Sequence, residues 1–165
     1  MTFNLRSLPI AVLLAAAALG PAIAADLPKE GRYDFTACWA GISNTINFSK
    51  THTAFSFEMT GNIRSNPPDG LFDKESFRCV GINYALDGKN GGTTVCEALA
   101  ADGAKRLAFF STTPEGKVIR ENVTGTGKYE GFIGSGTVQP LGPFPVVKPG
   151  TFQDCNHQTG TYKMK

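Results

Sequence analysis

The chain has 165 residues, with 16 Lys+Arg against 14 Asp+Glu and four cysteines. A formal net charge of +2 is too small for the basic surface that nucleic-acid binding requires, so nucleic acid is excluded as an expected partner. No block of like charge points to an anionic membrane surface, and the length suits one domain with a core of its own.

The first element is a targeting segment. Arg6, an apolar run from Leu8 to Gly20, and Ala22-Ile23-Ala24 have the layout of a cleavable signal peptide. The run is shorter than the roughly 20 apolar residues of a bilayer span, so no membrane span is expected. No cysteine follows it, which argues against a lipid anchor. Residues 1–24 are therefore read as the signal, and residues 25–165 as a single periplasmic or secreted domain whose net charge, without Arg6, is one unit lower.

Beyond the signal, helix patterns are poor. Only Val95 to Phe110 could hold a helix by propensity, and Gly103 interrupts it. Thr, Phe, Val, Tyr and Gly dominate elsewhere, with turn clusters at short intervals, as in an antiparallel all-β domain. Strands are expected over Phe35–Ile42 and over Thr53–Ile63. The second puts Phe55, Phe57 and Met59 on one face and Ser56, Glu58 and Thr60 on the other. Ser65–Gly70, with two prolines and an Asp-Gly pair, must be a loop. Further strands follow over Ser76–Leu86, Thr93–Ala100, Lys105–Thr113 and Lys117–Gly125, separated by turns at Asp87–Gly92, Ala101–Gly103 and Pro114–Gly116. A glycine-rich stretch, an irregular proline-rich segment over Gln139–Gly150 and a closing strand complete the chain. About eight strands joined mostly by short turns tend to close into an antiparallel barrel, because closure removes the exposed edges.

The cysteines bear on closure. An even number in an exported chain favours disulfides. Cys79 and Cys96 lie symmetrically about the Asp87–Gly92 turn, so a hairpin there would set them opposite one another. Cys38 and Cys155 would then join the first and last strands, stabilising by on the order of 4 kcal/mol in the chain-entropy picture. A different connectivity is the alternative. There is no C-x-x-C pair, and His52 and His157 stand far apart, so neither a metal nor a cofactor is expected.

The stretch Val123–Val138 carries glycines at Gly125, Gly127, Gly131, Gly134 and Gly136. It is not a phosphate loop. Glu130 stands where a dinucleotide fingerprint needs its third glycine, Asn122 and Tyr129 break the Walker pattern, and no helix follows. The glycines read instead as structural bends in a late barrel strand.

These residues resemble the glycine-rich strand segment of the allene oxide cyclase and dirigent barrels. Gly125, Thr126, Gly127, Tyr129, Phe132 and Gly134 fall on that pattern, with Thr124 at its first glycine, and the likeness covers some 40 residues. It implies an all-β, eight-stranded antiparallel barrel with an apolar cavity. It implies no catalytic residue, because the cyclases' cavity residues have no matched positions here.

Candidates for chemistry are few. Glu58, in an aromatic strand, and Glu97, beside Cys96, are the carboxylates that could work as acid or base if buried, though an outward solvated position suits both better. Trp39 reads as packing beside Cys38. Asn47 and Asn122 begin Asn-x-Ser/Thr sequons, relevant only in a eukaryotic secretory route. The favoured reading is a non-enzymatic exported barrel, with a small apolar ligand as the candidate partner. A cyclase or isomerase of the allene oxide cyclase type, or a protein-binding inhibitor using the two proline-containing loops, are the alternatives.

Overall fold

The computed structural model describes residues 27–165; the signal peptide assigned to residues 1–24 lies outside the described residues. The chain forms a closed antiparallel barrel in which each strand pairs with its sequence neighbours and the last pairs with the first. The strands are β1 (Glu30–Ser49), β2 (His52–Ser65), β3 (Ser76–Leu86), β4 (Lys89–Leu99), β5 (Lys105–Thr112), β6 (Val118–Gly125), β7 (Phe132–Pro140) and β8 (Thr151–Met164). The segment around Gly103 that has helical propensity is a turn between β4 and β5. Pairing with strands on both sides overrides local preference there.

Both cysteine pairs sit in register. Cys38 pairs with Cys155 across the β1–β8 seam and Cys79 with Cys96 across the β3–β4 hairpin, and both pairs are disulfide-bonded. By strand parity the seam bridge lies on the outer side of the wall and the hairpin bridge on the inner side.

The glycine-rich stretch is not one bent strand, as the sequence suggests. It comprises the end of β6, a 3-10 turn at Gly127–Tyr129, and the start of β7. Gly127 and Gly131 take positive φ at that turn. Gly134 and Gly136 lie in β7. A side chain at Gly136 would strike the Tyr33 hydroxyl and the Thr159 carbonyl, so its absence lets Tyr33 lie across the inner wall.

The lower half of the barrel is solid. Tyr33, Phe35, Ile63, Tyr129, Phe132 and Tyr162 pack there around Phe72, which is 2% exposed. Phe72 comes from the β2–β3 connection, which turns inward after Gly70 and stoppers the barrel. It holds φ 73°, a costly conformation for a bulky residue, offset by ring contacts at 5.4–5.8 Å with Tyr33, Phe35, Phe132 and Tyr129. Asp73 anchors the connection by accepting from the Ser65 and Asp69 amides at 2.9 and 3.3 Å.

Two outcomes are expected. Replacing Cys38 and Cys155 by Ala releases a loop of 117 residues, against 17 for Cys79 and Cys96, so its loop-entropy loss is about 5 rather than about 3 kcal/mol. Urea midpoints of the two double variants measure the difference. The Ser65 amide holds the Asp73 carboxyl below the ordinary aspartate value of 3.8. Its contribution is therefore present above that pH and is lost as pH falls through the lowered value. Asp73→Asn should flatten the acid limb of Tm against pH.

Candidate functional site

The upper half of the barrel is hollow. Inner positions near the open end carry small or polar residues: Ser43 and Thr45 on β1, Asn83 on β3, Thr94 on β4 and Thr112 on β5. They leave a cavity of about 630 Å³. Its contacts run from Phe35 to Thr45 on β1, roughly 25 Å along the axis at about 3.3 Å per residue and a tilt of about 40°.

Aromatic rings pave this cavity without filling it. Phe152 lies over Gly41, Phe77 over Gly61 and Phe57 over Gly81. A side-chain carbon at these glycines would come within 2.6, 2.6 and 2.5 Å of the ring tips. Each ring is thus pressed flat against the wall of a neighbouring strand. Trp39 meets Phe77 edge-on at 6.5 Å, and Phe57 meets Phe152 at 6.0 Å with an interplanar angle of 90°. Trp39 lines the cavity, whereas its neighbour Cys38 has the opposite parity. Val146, from the proline-rich β7–β8 connection, closes over the rim, where Gln153 Nε2 donates to the Pro145 carbonyl at 2.8 Å.

A charged layer separates the hollow half from the solid half. Arg106 and Arg120 line the cavity and are 5% and 1% exposed. Arg106 donates from Nε and Nη2 to Glu75 Oε2 at 2.9 and 2.6 Å, and its guanidinium stacks over Phe72 at 4.0 Å. Glu75 is fully buried, and its other oxygen has no hydrogen-bond partner. Arg120 has only neutral acceptors, Gln158 Oε1 at 3.2 Å and Asn122 Oδ1 at 3.0 Å. The rings of Tyr33, Phe35 and Phe72 surround it at 5.1–5.5 Å, and its Nε is unpartnered. Burial, and then repulsion from Arg106, push its pKa down to about 9, which still leaves it charged at neutral pH. Burial, followed by the nearby Glu75 carboxylate, raises the Tyr129 hydroxyl well above its ordinary value and keeps it neutral.

Glu58 and Glu97 are not in this cavity. Both lie on the outer face, where Glu58 accepts from Arg78 Nε at 2.8 Å and Glu97 from Lys105 Nζ at 2.6 Å. These cations, Arg78 and Lys105, hold the two carboxyls below the usual range. The wall carboxylate is Asp154 on β8, whose Oδ1 accepts from the Cys155 amide at 2.7 Å. His52 and His157 are separate, the first near Asp87 at 3.3 Å, the second donating from Nε2 to Asp34 Oδ1 at 2.8 Å. Among the described residues no three His, Cys, Asp or Glu side chains gather as a metal site would need. Asn122 is 7% exposed and donates to the Gly134 carbonyl, so its sequon is closed to a glycan in the folded protein.

No family model, curated protein or solved structure matches the chain. Fold and site alone define the class: a stoppered eight-stranded barrel with an aromatic cup above buried charge.

The Arg106–Glu75 pair can be tested directly. Glu75→Gln leaves a second buried cation uncompensated and should destabilise by about 3–5 kcal/mol. Adding Arg106→Met should recover most of that loss in urea unfolding.

Proposed function

We propose that this protein is an exported, periplasmic or secreted barrel that binds a small apolar ligand inside its upper half. The observation that carries the reading is the aromatic cup itself. A cavity of about 630 Å³ falls within the range of roughly 300–1,000 Å³ typical of small-molecule sites. Its middle is walled by Trp39, Phe55, Phe57, Met59, Phe77, Phe110 and Phe152, with small polar residues towards the rim and the arginines at the floor. Rings held flat over glycine pre-form such a cup, so little ordering is left to oppose binding. The two disulfides fit an extracytoplasmic protein. No helix among the described residues is long and apolar enough to cross a membrane.

Binding is favoured over a cyclase or isomerase reaction. Glu58 and Glu97, the carboxylates suited to acid–base work by sequence, are ion-paired outside the barrel. Glu75 is taken up by Arg106. Kinship with the allene oxide cyclase and dirigent barrels rests on the glycine-rich pattern and the closing strand and carries no activity here. The β2–β3 connection, one of the two loops suited to a protein partner, spends its second half as the barrel stopper.

The neutral fluorophore N-phenyl-1-naphthylamine provides the test. Saturable one-to-one binding with a blue-shifted emission is expected. Thr94→Trp, which puts a ring into the middle of the cup, should weaken it at least about tenfold. No saturable binding of any neutral apolar probe would sink the reading.

A further inference from the structure

The floor of the cup carries one positive charge too many. Two guanidiniums, those of Arg106 and Arg120, face one carboxylate, that of Glu75. Glu75 is committed to Arg106 through two hydrogen bonds to one oxygen. Arg120 is left with two amide oxygens, three aromatic faces and an orphaned Nε, all at 1% exposure. A buried charge without a counter-charge is strongly unfavourable. A methionine of similar volume would fill the same space at no such cost. Asp154, the wall carboxylate, does not relieve it. Arg120 stands opposite Gly136, which stands opposite Gly160, six residues along β8 from Asp154. The Arg120 guanidinium itself meets β8 at Gln158, four residues from Asp154, or roughly 13 Å along the strand at about 3.3 Å per residue.

Building on the ligand-binding reading above, we propose that the ligand is an apolar monocarboxylate that enters head-down, with its carboxylate on Arg120 and its apolar body against the rings of the cup. One negative charge brings the layer to neutrality, and a dianionic head would overshoot. A charge-assisted hydrogen bond from the guanidinium to a carboxylate is stronger than one to a neutral amide oxygen. The guanidinium's orientation is fixed before the ligand arrives. Asn122 holds Nη2 from behind and is itself tied to the Gly134 carbonyl, while Gln158 is tied to Asn156. Gln158 lines the cavity and Asn122 does not. The Gln158 oxygen on Nη1 is therefore the neutral acceptor that the carboxylate replaces.

The body can be aliphatic or aromatic, and both sources share this head-group chemistry. The experiment uses the full disulfide-bonded chain and displacement of N-phenyl-1-naphthylamine. Two matched pairs are compared: dodecanoate against dodecan-1-ol, and 2-naphthylacetate against its methyl ester. At least one acid should bind about tenfold or more tightly than its neutral partner, the margin expected of a charge-assisted hydrogen-bonded pair. Which pair shows the larger ratio identifies the body. In Arg120→Met the acid-to-neutral ratio should fall to about one. Gln158→Glu, which places an internal carboxylate on Arg120, should collapse the same ratio and serves if Arg120→Met does not fold. Equal binding of acid and neutral partner in the natural chain, or a ratio that survives both substitutions, overturns the head-down assignment. Failure of the fluorophore to bind at all is a different result, and it removes the ligand-binding reading beneath.

Discussion

A closed barrel of eight strands has an interior just wide enough for side chains to meet across it, so its stability turns on how that interior is filled. Here the strands supply most of the filling, but its centre comes from outside the sheet. The β2–β3 connection folds back and delivers Phe72 to the axis, where four other rings and the guanidinium of Arg106 converge on it. The positive φ of Phe72 is held against its own preference by that packing. Three residues further on, the same segment supplies Glu75, so one short stretch of chain both closes the barrel and sets the charge of its floor.

The charge layer gives the floor its chemical meaning. An apolar cup over an apolar floor would accept any greasy molecule of suitable size. A cup over a partly neutralised pair of arginines distinguishes one end of a molecule from the other. The outer surface handles its charges differently. Glu58, Arg78, Glu97 and Lys105 alternate in sign across β2, β3, β4 and β5, in water, where such pairs contribute little to stability. Similar residue types thus do different things on the two sides of a wall one residue thick.

The barrel was legible in the sequence because strand spacing, turn residues and cysteine symmetry all agreed on it. Cys79 and Cys96 face one another about the turn at Asp87-Gly88, as their spacing predicts, and Cys38 meets Cys155 at the seam. The facing of β2 was also readable: Phe55, Phe57 and Met59 line the cavity and Glu58 points out. The site was not. In β3 the branched and aromatic residues Val80, Ile82 and Tyr84 are 42–48% exposed, while Gly81 and Asn83 face inward. In β6 Ile119 and Val123 face outward, and Arg120 and Asn122 face inward. A hollow barrel inverts the alternation that normally marks a core, because its inner face need not be apolar and bulky. The signal that could have found Arg120 is that inversion, an arginine and an asparagine two apart between outward-facing Ile119 and Val123. Glu75 gave no such signal. It sits in a loop, and only the inward turn of that loop buries it.

The glycines under the rings have a consequence for how such a protein can change. Because Phe57, Phe77 and Phe152 lie against wall glycines and touch only neighbouring rings along the wall, the middle of the cup is left open. Exchanging Ser43, Thr45, Asn83, Thr94 or Thr112 for other small or medium residues alters the shape presented to a guest while leaving the stoppered half untouched. On the proposed ligand-binding reading, ligand choice and thermodynamic robustness are held by different residues. A lineage built on this scaffold could drift from one guest to another without passing through unstable intermediates.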